Sequence, residues 1–272
     1  MRFKLSAFAD EADRSLSGQI SAMLENGIEQ LEIRRVDGQN VVDISLEKAR
    51  EIRQRLDDNG LSVWAMGSSY GKIKIEDDFA PHLDKFKRSI EVANVLGTQH
   101  MRMFSFYVPT GWEAEHADTV MERLGAFCAA AEGSGVVLCH ENEKGIYGEN
   151  AARCAQIHQT FPQIKAVFDP ANFVQCKQDT VAAWEKLGPY VEYLHIKDAL
   201  ETGVVVPAGK GVGNLSYILA HYQGEVLSIE PHLSLFDGFA ELEAKKKTTM
   251  GYCYPSARVA FDAAVAALKE LI

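Results

Sequence analysis

Short runs rich in β-branched and aromatic residues alternate along the chain with longer stretches whose apolar positions recur at helical spacing. The short runs are FKLSAF, IEQLEIR, LSVWAMG, HMRMFSFY, VVLCHE, KAVFD, VEYLHIKD and EVLSIEP. Between them lie segments such as SLEKAREIRQRLDDNG, DKFKRSIEVANVLG and DTVMERLGAFCAAAEGSG. In the first of these, Leu46, Ala49, Ile52 and Leu56 share one helical face, and Gly60 supplies a stop. Approximate strand ends at Phe8, Arg34, Gly67, Ser105, Glu141, Asp169, His195 and Glu230 are separated by 26 to 38 residues, so eight strand-helix units account for the chain. Strict alternation implies a parallel sheet, and eight units of this size predict an α/β fold closed as a (β/α)8 TIM barrel. No glycine-rich dinucleotide fingerprint follows the first strand, which counts against a Rossmann-type sheet.

The last four predicted strands end alike. LCHE, VFD, LHI and SIE each carry an ionisable side chain at or near the carboxyl end: Glu141, Asp169, His195 and Glu230. Leu138, Phe168, Leu194 and Ile229 take the opposite parity, so an apolar face packed on helices turns the four ionisable groups toward the barrel axis. The carboxyl-end mouth is where barrel chemistry is housed. Three carboxylates converging there repel one another unless a cation lies between them. Taken singly, a strand-end Asp is as often a helix cap and a lone His a structural group; four on successive strands read as a divalent-metal site. With one imidazole in the set, Mn²⁺, Co²⁺ or Zn²⁺ suits it better than Mg²⁺.

Composition narrows the class. With 47% hydrophobic and 24% charged residues, the 272-residue chain has material for a large core, and no Pro/Gly/Ser-rich linker divides it, so residues 1–272 read as a single barrel domain. A formal net charge of -10 counts against a nucleic-acid partner. No apolar run approaches the roughly 20 residues needed to span a bilayer, and MRFKLSAFADEAD turns acidic too early for a signal peptide, so the expectation is a cytoplasmic protein with no membrane partner. Cys128, Cys139, Cys154, Cys176 and Cys253 form an odd set without a CxxC pair, pointing to no disulfide and no cysteine-bound metal.

The segments GIEQLEIR, MRMFSFY, HENE, VFDPANFVQ, YLHIKDA, VPAGKGVG and LSIEPHL resemble the sugar phosphate isomerase/epimerase group of the xylose isomerase-like TIM barrels, over nearly the whole chain. D-tagatose 3-epimerase, hydroxypyruvate isomerase, inosose dehydratase and endonuclease IV belong to that superfamily. The resemblance implies that Glu141, Asp169, His195 and Glu230 hold one divalent ion, Mn²⁺ as first choice with Zn²⁺ or Co²⁺ as alternatives, and that Glu141 and Glu230 double as acid and base. Two departures from sugar epimerases stand out. Those enzymes often carry a His three residues after the metal Asp, where this chain has Asn172, able to bond substrate but not to carry a proton. Some also carry an Arg beyond the seventh-strand His, a place that Lys197 is expected to fill.

Around the site, His232 shares Glu230's parity and is a candidate for binding a substrate hydroxyl, whereas His140 takes the opposite parity to Glu141 and is expected against a helix. Glu143 reads equally as a solvated carboxylate or a substrate contact. The loop PAGKGVG (207–213) follows strand seven, where many barrels bind phosphate through backbone N-H groups, and its Lys210 favours an anionic substrate. Trp64, Phe104, Phe106, Tyr107 and Trp112 are candidates for either a pocket wall or core packing. EAKKKTT reads as a solvated helix end.

The expected activity is a metal-dependent isomerase or epimerase on a small sugar or sugar phosphate, abstracting a proton beside a carbonyl through an enediolate. The alternatives are an inosose-type dehydratase, an endonuclease IV-like repair enzyme, and a barrel that binds a sugar without catalysis. Homo-oligomer formation is left open.

Overall fold

Alternation within each strand separates two apolar layers. In the computed structural model, which describes residues 2–234 and 252–272, eight parallel strands close a barrel: β1 (Lys4–Ala7), β2 (Gln30–Ile33), β3 (Ser62–Met66), β4 (His100–Met103), β5 (Val137–Glu141), β6 (Lys165–Phe168), β7 (Val191–Ile196) and β8 (Val226–Ile229). The barrel shuts where β1 pairs with β8, Lys4 opposite Val226 and Ala7 opposite Ile229. Leu31, Ile33, Met101, Met103, Leu138, Phe168, Leu194 and Ile229 belong to the core under the helices. On the other parity, Ala65, Cys139, Val167, Tyr193 and Val226 form a separate cluster with Trp64 and Val137 inside the barrel. The predicted fold class and parity are therefore those observed.

The surrounding helices are α1 (Leu16–Glu25), α2 (Leu46–Asp57), α3 (Ala80–Leu96), α4 (Glu113–Ala131), α5 (Ala151–Thr160), α6 (Pro170–Gln175), α7 (Thr180–Leu187), α8 (Leu215–His221) and α9 (Ala257–Lys269). Their starts follow cap chemistry: Ser15, Ser45, Asn150, Asp179 and Ser256 each accept a hydrogen bond from a backbone N-H of the first turn. None of the described helices is long and apolar enough to cross a membrane. The five cysteines are thiols, not joined in disulfides.

Two expected boundaries differ. Helix α4 begins at Glu113, five residues before the predicted start, and the run HMRMFSFY leaves the sheet after Met103. There the chain folds against the loop after β3: Phe104 and Phe106 donate their N-H groups to the carbonyls of Tyr70 and Gly71. Gly71 is required at that crossing. Its φ is +87°, and a Cβ there would lie 2.0 Å from the Phe104 carbonyl oxygen.

Candidate metal centre at the barrel mouth

The sheet register brings the four strand-end groups to one level, and all four are buried. One ligand atom from each of Glu141, Asp169, His195 and Glu230 lies within 4.8 Å of the others. His195 Nδ1 is 3.1 Å from Glu141 Oε1 and 3.5 Å from Glu230 Oε2. Asp169 divides its oxygens: Oδ1 accepts the Asn172 N-H at 2.9 Å as the N-cap of α6, while Oδ2 faces the cluster. The cap and the candidate ligand are thus one residue.

Cations compensate this charge. Lys197 Nζ sits 2.8 Å from both Asp169 Oδ2 and Glu230 Oε2. Arg102 Nη1 lies 3.2 Å from Glu141 Oε2 and 3.6 Å from Glu230 Oε1, and Arg34 reaches Asp10, Glu11 and Glu230 at 2.8, 3.1 and 3.4 Å. Phe8 lies beneath both guanidinium groups, 4.4 Å from Arg34 Cζ and 5.0 Å from Arg102 Cζ. Burial, with repulsion from Glu141 and Glu230, pushes the Asp169 carboxyl up to about 7 even though Lys197 opposes it. Burial also works against ionised Glu230, but Lys197, His232 and His195 hold its pKa well below the usual carboxylate range. Burial drives the Glu11 carboxyl up to about 8, against the pull of Arg34.

One level deeper, Glu32 of β2 closes the network. Its Oε2 accepts from Ser228 Oγ at 2.7 Å and from His195 Nε2 at 3.0 Å, and its Oε1 accepts from Tyr193 Oη at 2.9 Å. The strand-end pattern includes Arg34 without assigning it to the site, and does not reach Glu32 or Arg102. Their signal is the same alternation, carried in mid-strand: Glu32 lies between Leu31 and Ile33, as Arg102 does between Met101 and Met103.

The other expected residues fall in different places. Asn172 joins the cluster, donating through Nδ2 to Glu141 Oε1 at 3.2 Å and to the Asn142 carbonyl at 3.0 Å. His232 is buried beside it with φ +46°, its Nε2 3.4 Å from Glu11 and 3.6 Å from Glu230. Lys197 points at the candidate ligands themselves. Lys210 is exposed and does not join the four. The N-H groups of Gly209, Gly211 and Gly213, expected to face a phosphate, instead donate to the Asp198 carboxylate at 3.0, 3.0 and 2.9 Å.

His140 packs toward α5, its ring 5.8 Å from His158, and Glu143 pairs with Lys72 at 3.0 Å. The aromatic residues scatter: Trp64 stacks on His100 at 4.1 Å, Phe106 joins Phe79 and Phe127, and Trp112 is exposed. Lys245 to Lys247 lie outside the described residues.

The donor set fits a divalent ion. Glu141 Oε2 and Asp169 Oδ2 are buried and meet only cations, Arg102 at 3.2 Å and Lys197 at 2.8 Å, as suits oxygens that take a positive charge.

Residues 20–239 match the family described as xylose isomerase-like TIM barrel. No curated protein sequence matches the chain significantly. Among solved structures, the probable 3-DHS dehydratase AsbF from Bacillus anthracis superposes with a TM-score of 0.76 at 16% sequence identity, covering 99% of this chain and 99% of that one. The IolI protein with a bound zinc atom gives 0.77 at 16% identity over 98% and 97% of the two chains. D-psicose 3-epimerase in the presence of D-fructose gives 0.72 at 17% identity, with 98% and 97% covered. At such identities the structural likeness speaks for the fold. With the match spanning β2 to β8 of a closed eight-stranded barrel, the chain belongs to the xylose isomerase-like TIM barrel family.

Proposed function

We propose that the chain is an enzyme, a divalent-metal-dependent isomerase or epimerase of a small ketose or its phosphate, with Glu141, Asp169, His195 and Glu230 as metal ligands. Mn²⁺ is the first choice for the ion, and the zinc of the IolI structure keeps Zn²⁺ open. The observation that carries the reading is the approach of two glutamates from β5 and β8 to one point, with Arg102 Nη1 3.2 Å from one and 3.6 Å from the other.

Glu141, Asp169, His195 and Glu230 would hold the divalent ion, which would supply Lewis acidity to a substrate carbonyl and the adjacent hydroxyl. One glutamate then takes the proton from the carbon between them, and the other returns it to the opposite face of the planar enediolate or to the neighbouring carbon. Arg102 places a positive charge within 3.6 Å of both. Asn172, Lys197 and His232 offer donors to substrate oxygens, and Lys210 serves only a substrate group that extends to the loop after β7. The candidate ligands are all buried, so the charges act in a weakly screened setting.

A second reading keeps the proton abstraction but expels a β-hydroxyl. The superposition on the probable 3-DHS dehydratase, with 99% of each chain covered, favours it. Metal-loaded protein incubated with ketoses, their phosphates and cyclic polyol ketones in D2O, followed by NMR, tests both. Loss of the C-H signal with a saturated product supports the first reading, and a conjugated enone absorbing in the ultraviolet supports the second. No exchange with any of these substrates would overturn both.

A further inference from the structure

We infer that Glu32 is a positioning residue of the candidate metal centre, fixing His195 so that Nδ1 faces the ion and Nε2 carries the proton. The inference rests on the metal reading above and assigns a role to a residue outside the ligand set. Three observations carry it. First, Glu32 Oε2 lies 3.0 Å from His195 Nε2, on the side of the ring away from the candidate ligands, so a proton on Nε2 has its acceptor there, and Nδ1, 3.1 and 3.5 Å from Glu141 and Glu230, is the nitrogen turned toward the ion site. Second, Glu32 cannot swing away. Tyr193 Oη donates to Oε1 at 2.9 Å, Ser228 Oγ shares Oε2 at 2.7 Å, and the residue is 1% exposed. Third, the ring is held across its face as well, since Phe8 meets it edge-on at 5.3 Å.

A buried carboxylate inside a barrel is destabilising unless its partners compensate it. Tyr193 and Ser228 satisfy it, yet hydroxyls of that kind would serve a neutral Gln as well. A negative charge directly behind one imidazole does something that a neutral side chain does not: it strengthens the ring as a donor at the far nitrogen and locks its tautomer. With an ion bound at the candidate ligands, Glu32 and His195 would complete a carboxylate-histidine-metal array from mid-strand β2 to the mouth.

Two variants test the inference in the full-length protein. Glu32→Gln keeps volume and one acceptor oxygen while exchanging the other for an NH2 donor and removing the charge. Tyr193→Phe removes a hydrogen bond from the same carboxylate and leaves the His195 contact. Mn²⁺ affinity is measured by competition with a chromophoric chelator, and the His195 ring nitrogens are followed by ¹⁵N NMR in the Zn²⁺-loaded protein. Glu32→Gln should weaken Mn²⁺ by about 10–100-fold and shift the Nε2 resonance of the ring. Tyr193→Phe should lower thermal stability while leaving affinity within about twofold. Wild-type affinity and an unmoved ring resonance in Glu32→Gln would overturn the inference, as would equal losses of affinity in both variants. A wild-type protein that takes up neither ion overturns the metal reading itself, a distinguishable failure.

Discussion

Replacing Lys197 by Met should make the metal-free protein less stable and the metal-bound protein tighter. In the structure the ammonium stands where it neutralises two candidate ligands at once, 2.8 Å from each, with all three side chains at most 4% exposed. Removing one partner from a buried ion pair costs on the order of 3–5 kcal/mol. For a chain of this size about 2 °C of melting temperature accompanies each kcal/mol, so the metal-free variant should melt roughly 6–10 °C below wild type. An ion seated between Asp169 and Glu230 replaces the lost charge. In saturating Mn²⁺ the gap should close, and chelator competition should give the variant an affinity raised by about a hundredfold or more, since each 1.4 kcal/mol is a factor of ten. The assay is thermal unfolding of both proteins in EDTA and in Mn²⁺. The reasoning is refuted if the gap is the same in both conditions, or if the variant binds Mn²⁺ more weakly than wild type.

Three further outcomes are expected. Glu141→Gln and Glu230→Gln should each lower kcat by about 10²–10⁴-fold at saturating metal; full turnover in both metal-loaded variants would move the base elsewhere, with His232 the next candidate. His158, whose Nδ1 meets the Ile164 carbonyl at 3.0 Å, is held by burial at a pKa of about 4. Its folded value lies below the unfolded one, so stability is full above about pH 6.5 and falls by up to roughly 3 kcal/mol toward pH 4. Urea unfolding of His158→Gln should show a shallower loss over that window, and identical slopes would reject the assignment. Asp198→Ala vacates the ring of glycine amides after β7. Inorganic phosphate should then raise the melting temperature of the variant but not of wild type; equal responses would show that the carboxylate was not filling an anion seat.

The four candidate ligands were legible because strand parity and strand ends are local properties: Glu141, Asp169, His195 and Glu230 need only an apolar neighbour on the opposite face. Glu32 and Arg102 obey the same parity, but in mid-strand, and a charged residue there reads equally as the solvent face of a half-exposed strand. What makes them interior is the closure of β1 on β8, more than 200 residues apart in sequence. The occupation of the glycine loop by Asp198 was hidden for a related reason. Glycine spacing reports that amides are free to point inward but not what they will meet, and the acceptor lies 11 to 15 residues upstream. Lys197 was readable as a cation near the site, though its position between two carboxylates depends on β6, β7 and β8 ending at one level.

Asp169 is at once the N-cap of a helix and an arm of the barrel mouth, and this complicates genetics of the site. Asp169→Ala removes the acceptor for the Asn172 amide along with the charge, so α6 can fray, taking with it the Asn172 side chain that holds Glu141. Loss of activity in such a mutant would count an unravelled turn as a lost ligand. Asp169→Asn keeps a carbonyl oxygen for the helix and deletes only the anion, so the two alleles side by side separate architecture from chemistry. The same dual use means that natural drift at this position is hemmed in from two directions, one through the backbone it starts and one through the pocket it faces.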